Sequence, residues 1–134
     1  MNALGELTTV NFGGFAYRDL TGTDRWESFD VTGVLTLVGD PTYVGRYRLV
    51  GAQCFFQISA VAATSIATTA GTSYFDLPRA AAIGIGGVAT MTNDSTNVAV
   101  GVCHIDVATN RCYLPSQVAS GDLFHVCGWF EIGG

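Results

Sequence analysis

The stretch Arg48-Leu49-Val50-Gly51-Ala52-Gln53-Cys54-Phe55-Phe56-Gln57-Ile58-Ser59-Ala60-Val61 carries an apolar residue at every even position from Val50 to Ala60. Gln53, Gln57 and Ser59 stand among the odd positions. Successive side chains of a β-strand point to opposite faces, so a period of two over this length describes a strand with one face in a core. The end of the chain repeats the pattern: Phe124, Val126, Gly128, Phe130 and Ile132 share one face, and His125, Cys127, Trp129 and Glu131 share the other. That second face is only half polar, which makes it a surface expected to meet a partner.

Between these two strands, residues 98–114 read as a hairpin turning at Ala108-Thr109-Asn110-Arg111, with Asn110 suited to a positive φ. With Thr109 and Asn110 as the loop, Val107 faces Cys112 and Ile105 faces Leu114. Cys103, Ile105, Val107, Cys112 and Leu114 then share the apolar side, while His104 and Asp106 point outward. Further strands are expected at residues 12–18, 27–31, 34–38, 74–77 and 83–91, separated by turn signals such as Gly39-Asp40-Pro41, Asn93-Asp94-Ser95 and Ser120-Gly121-Asp122. Helical periodicity is nearly absent, and 17 glycines accompany abundant Thr, Val, Phe and Tyr. The expected fold is all-β, an antiparallel β-sandwich of jelly-roll type formed by residues 26–134, preceded by a short N-terminal arm of residues 1–25.

Composition narrows the function. The 134 residues contain no lysine; six arginines stand against eleven Asp and Glu, for a net charge of −5. Nucleic acid binding through phosphate neutralisation needs clustered cations, so nucleic acid is excluded as an expected partner. No apolar run reaches the roughly 18–20 residues that span a bilayer, so no membrane insertion is expected. The amino terminus has neither the basic region nor the apolar core of a secretion signal, so a chain made in a cytoplasm is expected. Charged residues are only 13% of the chain and hydrophobic ones 49%. A small subunit with so few charges has surface to hide, and self-association is the expected remedy.

Little in the chain points to catalysis, and none is expected. The cysteines Cys54, Cys103, Cys112 and Cys127 are separated by 48, 8 and 14 residues, with no Cys-x-x-Cys pair. Neither a zinc module nor a disulfide framework fits; buried thiols do. No metal and no cofactor are implied. Gly84-Ile85-Gly86-Gly87 lacks the following helix that a phosphate loop requires. His104 with Asp106 forms an i, i+2 pair in which a carboxylate could orient an imidazole; an exposed polar pair is the plainer reading. His125 is the other histidine on which an enzyme reading would have to rest.

One pattern is more specific. Trp26-Glu27-Ser28-Phe29-Asp30-Val31-Thr32-Gly33, followed by Pro41-Thr42-Tyr43-Val44-Gly45-Arg46-Tyr47-Arg48-Leu49-Val50-Gly51-Ala52-Gln53-Cys54-Phe55-Phe56, resembles the terminal head domain of bacteriophage tail-fibre and related virion proteins. Tyr74-Phe75-Asp76-Leu77-Pro78 is similar to that family's Leu-Pro strand end, and Gly128-Trp129-Phe130 stands in the place of its closing Gly-x-Tyr strand. The resemblance implies a homotrimeric jelly-roll module of the virion without catalytic activity, assembled in the host bacterial cytoplasm. The short arm, in place of a fibre shaft, makes it more similar to a capsid decoration (cement) protein bound to the major capsid protein or other virion proteins. Phe12, Phe15, Tyr17 and Trp26 are then the expected anchor, and the Cys127 and Trp129 face the expected interface. The alternative role, a tail-fibre or tail-spike tip recognising a host-surface glycan, would use Tyr43, Tyr74, Asn97 and Tyr113.

Overall fold

The structure, a computed structural model, describes residues 25–38, 41–61, 66–84, 86–94, 96, 98–120 and 123–133. The proposed arm, with Phe12, Phe15 and Tyr17, lies outside the described residues apart from Arg25, and so does Asn97. Twelve strands are present among the described residues, and no helix. They are β1 (Glu27–Phe29), β2 (Gly33–Val34), β3 (Leu37–Val38), β4 (Thr42–Val50), β5 (Gln53–Val61), β6 (Ile66–Thr68), β7 (Tyr74–Asp76), β8 (Gly87–Asn93), β9 (Val98–Asp106), β10 (Arg111–Tyr113), β11 (Gln117–Ser120) and β12 (Leu123–Glu131). Nine form one sheet in the order β1-β4-β5-β12-β8-β9-β10-β7-β2, and β11-β6-β3 form a second. Every pairing is antiparallel.

The large sheet curls until its ends meet. Tyr43 on β4 lies edge-on to Phe75 on β7, ring centroids 5.6 Å apart, although four strands stand between β4 and β10, the neighbour of β7. Inside the curl, Phe56, Ile58, Phe75, Met91, Phe124, Val126 and Phe130 are fully buried. Alternation supplies this core, since Cys54, Phe56, Ile58 and Ala60 of β5 and Phe124, Val126 and Phe130 of β12 all face inward. Gly128 holds a tight position: a Cβ there would stand 2.3 Å from the Val88 carbonyl oxygen and 2.5 Å from Ala89 Cβ, so only glycine fits.

The even-numbered face proposed for residues 48–61 holds only from Cys54 onward. Gly51 and Ala52 form the turn of a β4–β5 hairpin, with Gly51 at φ 61°, a conformation that suits glycine. The chain reverses there, and Val50 is 42% exposed instead of buried. On β4 the inward residues are therefore the odd ones, with Tyr47 opposite Phe56 and Leu49 opposite Cys54.

A second departure concerns the β9–β10 hairpin. Its loop has four residues, 107–110, so Cys112 faces Ile105 and Tyr113 faces His104, two positions from the expected pairing. Asp106 closes the turn, accepting the Ala108 N–H at 3.0 Å and the Thr109 hydroxyl at 2.8 Å. These bonds, the Thr109 hydroxyl foremost, hold the Asp106 carboxyl below its ordinary range. Because the shift is even, the faces survive: Cys103, Ile105, Cys112 and Leu114 are buried, and His104 is exposed. Asn110 adopts φ 59° as expected, and its Oδ1 accepts the Ala81 N–H at 2.8 Å. Asn110→Ala is therefore expected to cost about 1–2 kcal/mol, from a strained φ and an unpaired N–H, while Asn110→Gly loses only the hydrogen bond. Urea unfolding of both variants measures the difference.

The segment expected as one strand over 34–38 divides between sheets. Val34 pairs with Tyr74 in the large sheet and Val38 with Ile66 in the small one. The strand expected from residue 83 begins at Gly87.

Candidate functional site

The outer face of the large sheet is the surface that alternation leaves outside the core. Across β4, β5, β12, β8 and β9 it carries Val44, Phe55, Trp129, Val88 and Val102, with Val44 61%, Val88 52% and Val102 72% exposed. Trp129 is directly opposite Phe55 on one side and Val88 on the other, so three large apolar groups form a continuous row. Trp26, just before β1, joins them through two arginines of β4. The Arg46 guanidinium carbon lies 4.8 Å and that of Arg48 5.3 Å from the Trp26 ring centroid, and Arg48 is also 5.8 Å from Phe55. Arg46 Nε donates to Gln57 Oε1 at 2.8 Å, whereas Arg48 Nε is buried without a hydrogen-bond partner. The interface residues expected from the sequence, Trp26, Cys127 and Trp129, are thus brought to one surface.

Beside this row is a depression of about 360 Å3 of mixed polar and apolar lining, bounded by Val44, Arg46, Ile58, Ser59, His125 and Cys127. His125 Nδ1 is 2.6 Å from Asp94 Oδ2, and the Thr92 hydroxyl donates to Asp94 Oδ1 at 3.1 Å. The carboxylate orients the imidazole, one half of a nucleophile-activating arrangement. The other half is unfavourable: burial first, and then the Asp94 charge, push the exposed-face Cys127 thiol above its ordinary value. An activated cysteine needs the opposite shift.

The other three cysteines are buried. Burial pushes the Cys54 thiol up to about 11 against the pull of Arg79. A hydrogen bond with Cys103, reinforced by burial, raises the Cys112 thiol further. These are inert core groups. Among the described residues no three His, Cys, Asp or Glu side chains come close enough to hold a metal ion.

Of the glycan-contact residues, Tyr74 and Tyr113 are neighbours, directly opposite on β7 and β10 with ring centroids 5.5 Å apart. Tyr43 is not with them. Its ring is turned inward against Phe75, and burial raises its hydroxyl above the ordinary value. Two residues that sequence reasoning set aside or did not single out complete the Tyr74–Tyr113 cluster. His104 stacks on Tyr113 at 6.4 Å, and the Arg111 guanidinium lies 4.1 Å from the Tyr74 ring centroid.

Fold and surface together define an all-β chain whose most distinctive surface is an open apolar and aromatic sheet face. Compared with known proteins, it matches no family model, no curated protein and no solved structure.

Proposed function

We propose that this chain is a structural protein of a bacteriophage particle, a homotrimer of jelly-roll β-sandwich type. In this reading it binds the outer surface of the capsid as a decoration (cement) protein and stabilises the shell. The observation that carries the reading is the outer sheet face, where exposed Val88 stands in one row with Trp129 and Phe55 and exposed Val102, on the next strand, lies diagonal to Val88. Contiguous apolar surface of this kind is uncommon on a monomer and marks association. The virion setting rests on the resemblance of the Trp26 to Phe56 and Gly128-Trp129-Phe130 segments to phage head domains.

The mechanism is binding without turnover. Aromatic and aliphatic groups contribute apolar area across subunit boundaries, and the low charge of the chain keeps the desolvation cost small. The partners are two further copies of this chain and the major capsid protein. Sedimentation velocity of the purified protein is expected to give three times the 14.1 kDa chain mass. Mixing it with undecorated capsids is expected to give stoichiometric association by co-sedimentation. A monomer at all concentrations, or capsids that take up none, would overturn the reading.

A further inference from the structure

We infer that the depression between Arg46 and His125 on the outer sheet face is a binding site for a small monocarboxylate, and that binding is coupled to protonation of His125. This goes beyond the structural role proposed above and does not rest on it.

The sheet register builds the site. On the outer face Val44, Ser59 and His125 are direct neighbours across β4, β5 and β12, and Arg46, Gln57 and Cys127 form the next row along the same strands. Neighbouring strands are about 4.8 Å apart, so about 10 Å separates the β4 and β12 backbones, with Ser59 and Gln57 between them. All six residues line the depression of about 360 Å3, and no Asp or Glu does.

Its donors are held in place before any ligand arrives, which lowers the ordering cost of binding. Arg46 Nε donates to Gln57 Oε1 at 2.8 Å, and the guanidinium carbon lies 4.8 Å from the Trp26 ring centroid. Among the described residues neither Nη group of Arg46 has a protein acceptor, so their N–H groups remain to meet an oxyanion. The Arg46 charge acts inside the depression: burial first, and then Asp94, push the Cys127 thiol up, and Arg46 pulls against them. His125 is fixed from the other side. Its Nδ1 is 2.6 Å from Asp94 Oδ2, Asp94 Oδ1 accepts the Thr92 hydroxyl at 3.1 Å, and the Asp94 N–H donates to the Leu123 carbonyl oxygen at 2.8 Å.

That arrangement makes binding depend on a proton. An ionised carboxylate only accepts, so Nδ1 carries the hydrogen in the neutral ring and Nε2 is a bare acceptor that opposes an anion. Protonation places an N–H on Nε2 and turns it into a donor. The charged and titratable groups around His125 are Asp94, directly after β8, Arg46 on β4 and Cys127 on its own strand; β5 presents Ser59 and Gln57 there. With the thiol neutral, the imidazolium, Asp94 and Arg46 leave one positive charge. One positive charge matches a monoanion, whereas a second negative charge would stand uncompensated on a chain of net charge −5. Val44, 61% exposed, offers apolar surface to a short carbon chain, and the Ser59 hydroxyl can donate to the carboxylate.

The test is NMR titration of the full-length protein with sodium butyrate at constant ionic strength, at about pH 5.5 and about pH 8, on either side of the range in which histidine ordinarily changes charge. Butyramide serves as the uncharged isostere and inorganic phosphate as a second oxyanion. Butyrate is expected to bind saturably, with shifts centred on Ser59, His125 and Cys127 and an affinity at least about tenfold higher at the lower pH, and butyramide is expected not to bind. By reciprocity, saturating butyrate should move the titration of the His125 ring to higher pH. Arg46→Gln is expected to weaken butyrate at least about tenfold, and His125→Gln to remove the pH dependence. Arg46 is exposed and His125 partly so, so both variants keep the fold, which far-UV circular dichroism checks. Absence of saturable butyrate binding, binding of phosphate alone, equal butyrate affinity at the two pH values, or affinity unchanged in the folded Arg46→Gln variant would overturn the inference.

Discussion

Phe130→Ala is expected to lower the stability of the chain by about 3–5 kcal/mol, most of what a domain of this size ordinarily has. Phe130 is 0% exposed on β12, at the middle of the nine-stranded sheet, with Cys54 opposite on β5 and Gly87 on β8. Its ring tilts against Phe56 with centroids 5.9 Å apart, so truncation removes both its own burial and half of an aromatic contact. Gly87 and Gly128 bring no side chain of their own to fill the space, so truncation leaves a cavity. Urea unfolding should show a lower midpoint with an unchanged slope. A loss below about 1 kcal/mol would show that the ring is not a core element.

The adjacent residue gives the opposite kind of effect. Trp129→Asp is expected to leave the monomer fold within about 1 kcal/mol of wild type while weakening self-association at least about a hundredfold. Trp129 points from β12 to the outer face, between Phe55 and Val88, where a carboxylate would be desolvated by any subunit that docks there. Because Arg48 lies near Phe55 and could partly neutralise the new charge, Val88→Asp provides a second reading from the neighbouring strand. Both variants should sediment as monomers at concentrations where the wild-type chain is assembled, and Trp129→Phe should not. Assembly that survives both aspartates would place the interface elsewhere.

Phe130 and Trp129 also show what could be read from the residues alone. The inward set Phe124, Val126, Gly128, Phe130 and Ile132 and the outward set His125, Cys127, Trp129 and Glu131 follow from alternation; Phe124, Val126 and Phe130 are buried, and Gly128 and Ile132 are half-buried. The stretch around Cys54 was legible for the same reason, but its reading ran through Gly51 and Ala52 because Val50 and Ala52 happen to continue the even apolar pattern across a turn. Hydrophobic periodicity carries no signal for a reversal when the turn residues are themselves small and apolar; the left-handed φ of Gly51 is the physical event, and one glycine among 17 does not announce it.

The aromatic row depended on a finer detail. With a two-residue loop, Tyr113 would stand opposite Asp106; with the four-residue loop that Asp106 itself closes, it stands opposite His104 and the rings stack. An even slip keeps every side chain on its face while changing every neighbour, so alternation could reveal the face but not the site. Tyr74 reaches the row because β7 pairs directly with β10, a contact between residues 74 and 113 that no local pattern encodes.

Strand content, the two faces of β5 and β12, the burial of Cys103 and Cys112, and the shortage of charge are properties of residue order and type. They follow from the period of two in the backbone and the transfer preference of each side chain. The hairpin register, the passage of residues 33–38 from one sheet to the other, the meeting of Tyr43 with Phe75, and the gathering of His104, Tyr113, Tyr74 and Arg111 belong to the folded chain. They are set by loop closure and by long-range packing inside a curled sheet, where the free energy depends on which strands become neighbours and not on any one strand's composition.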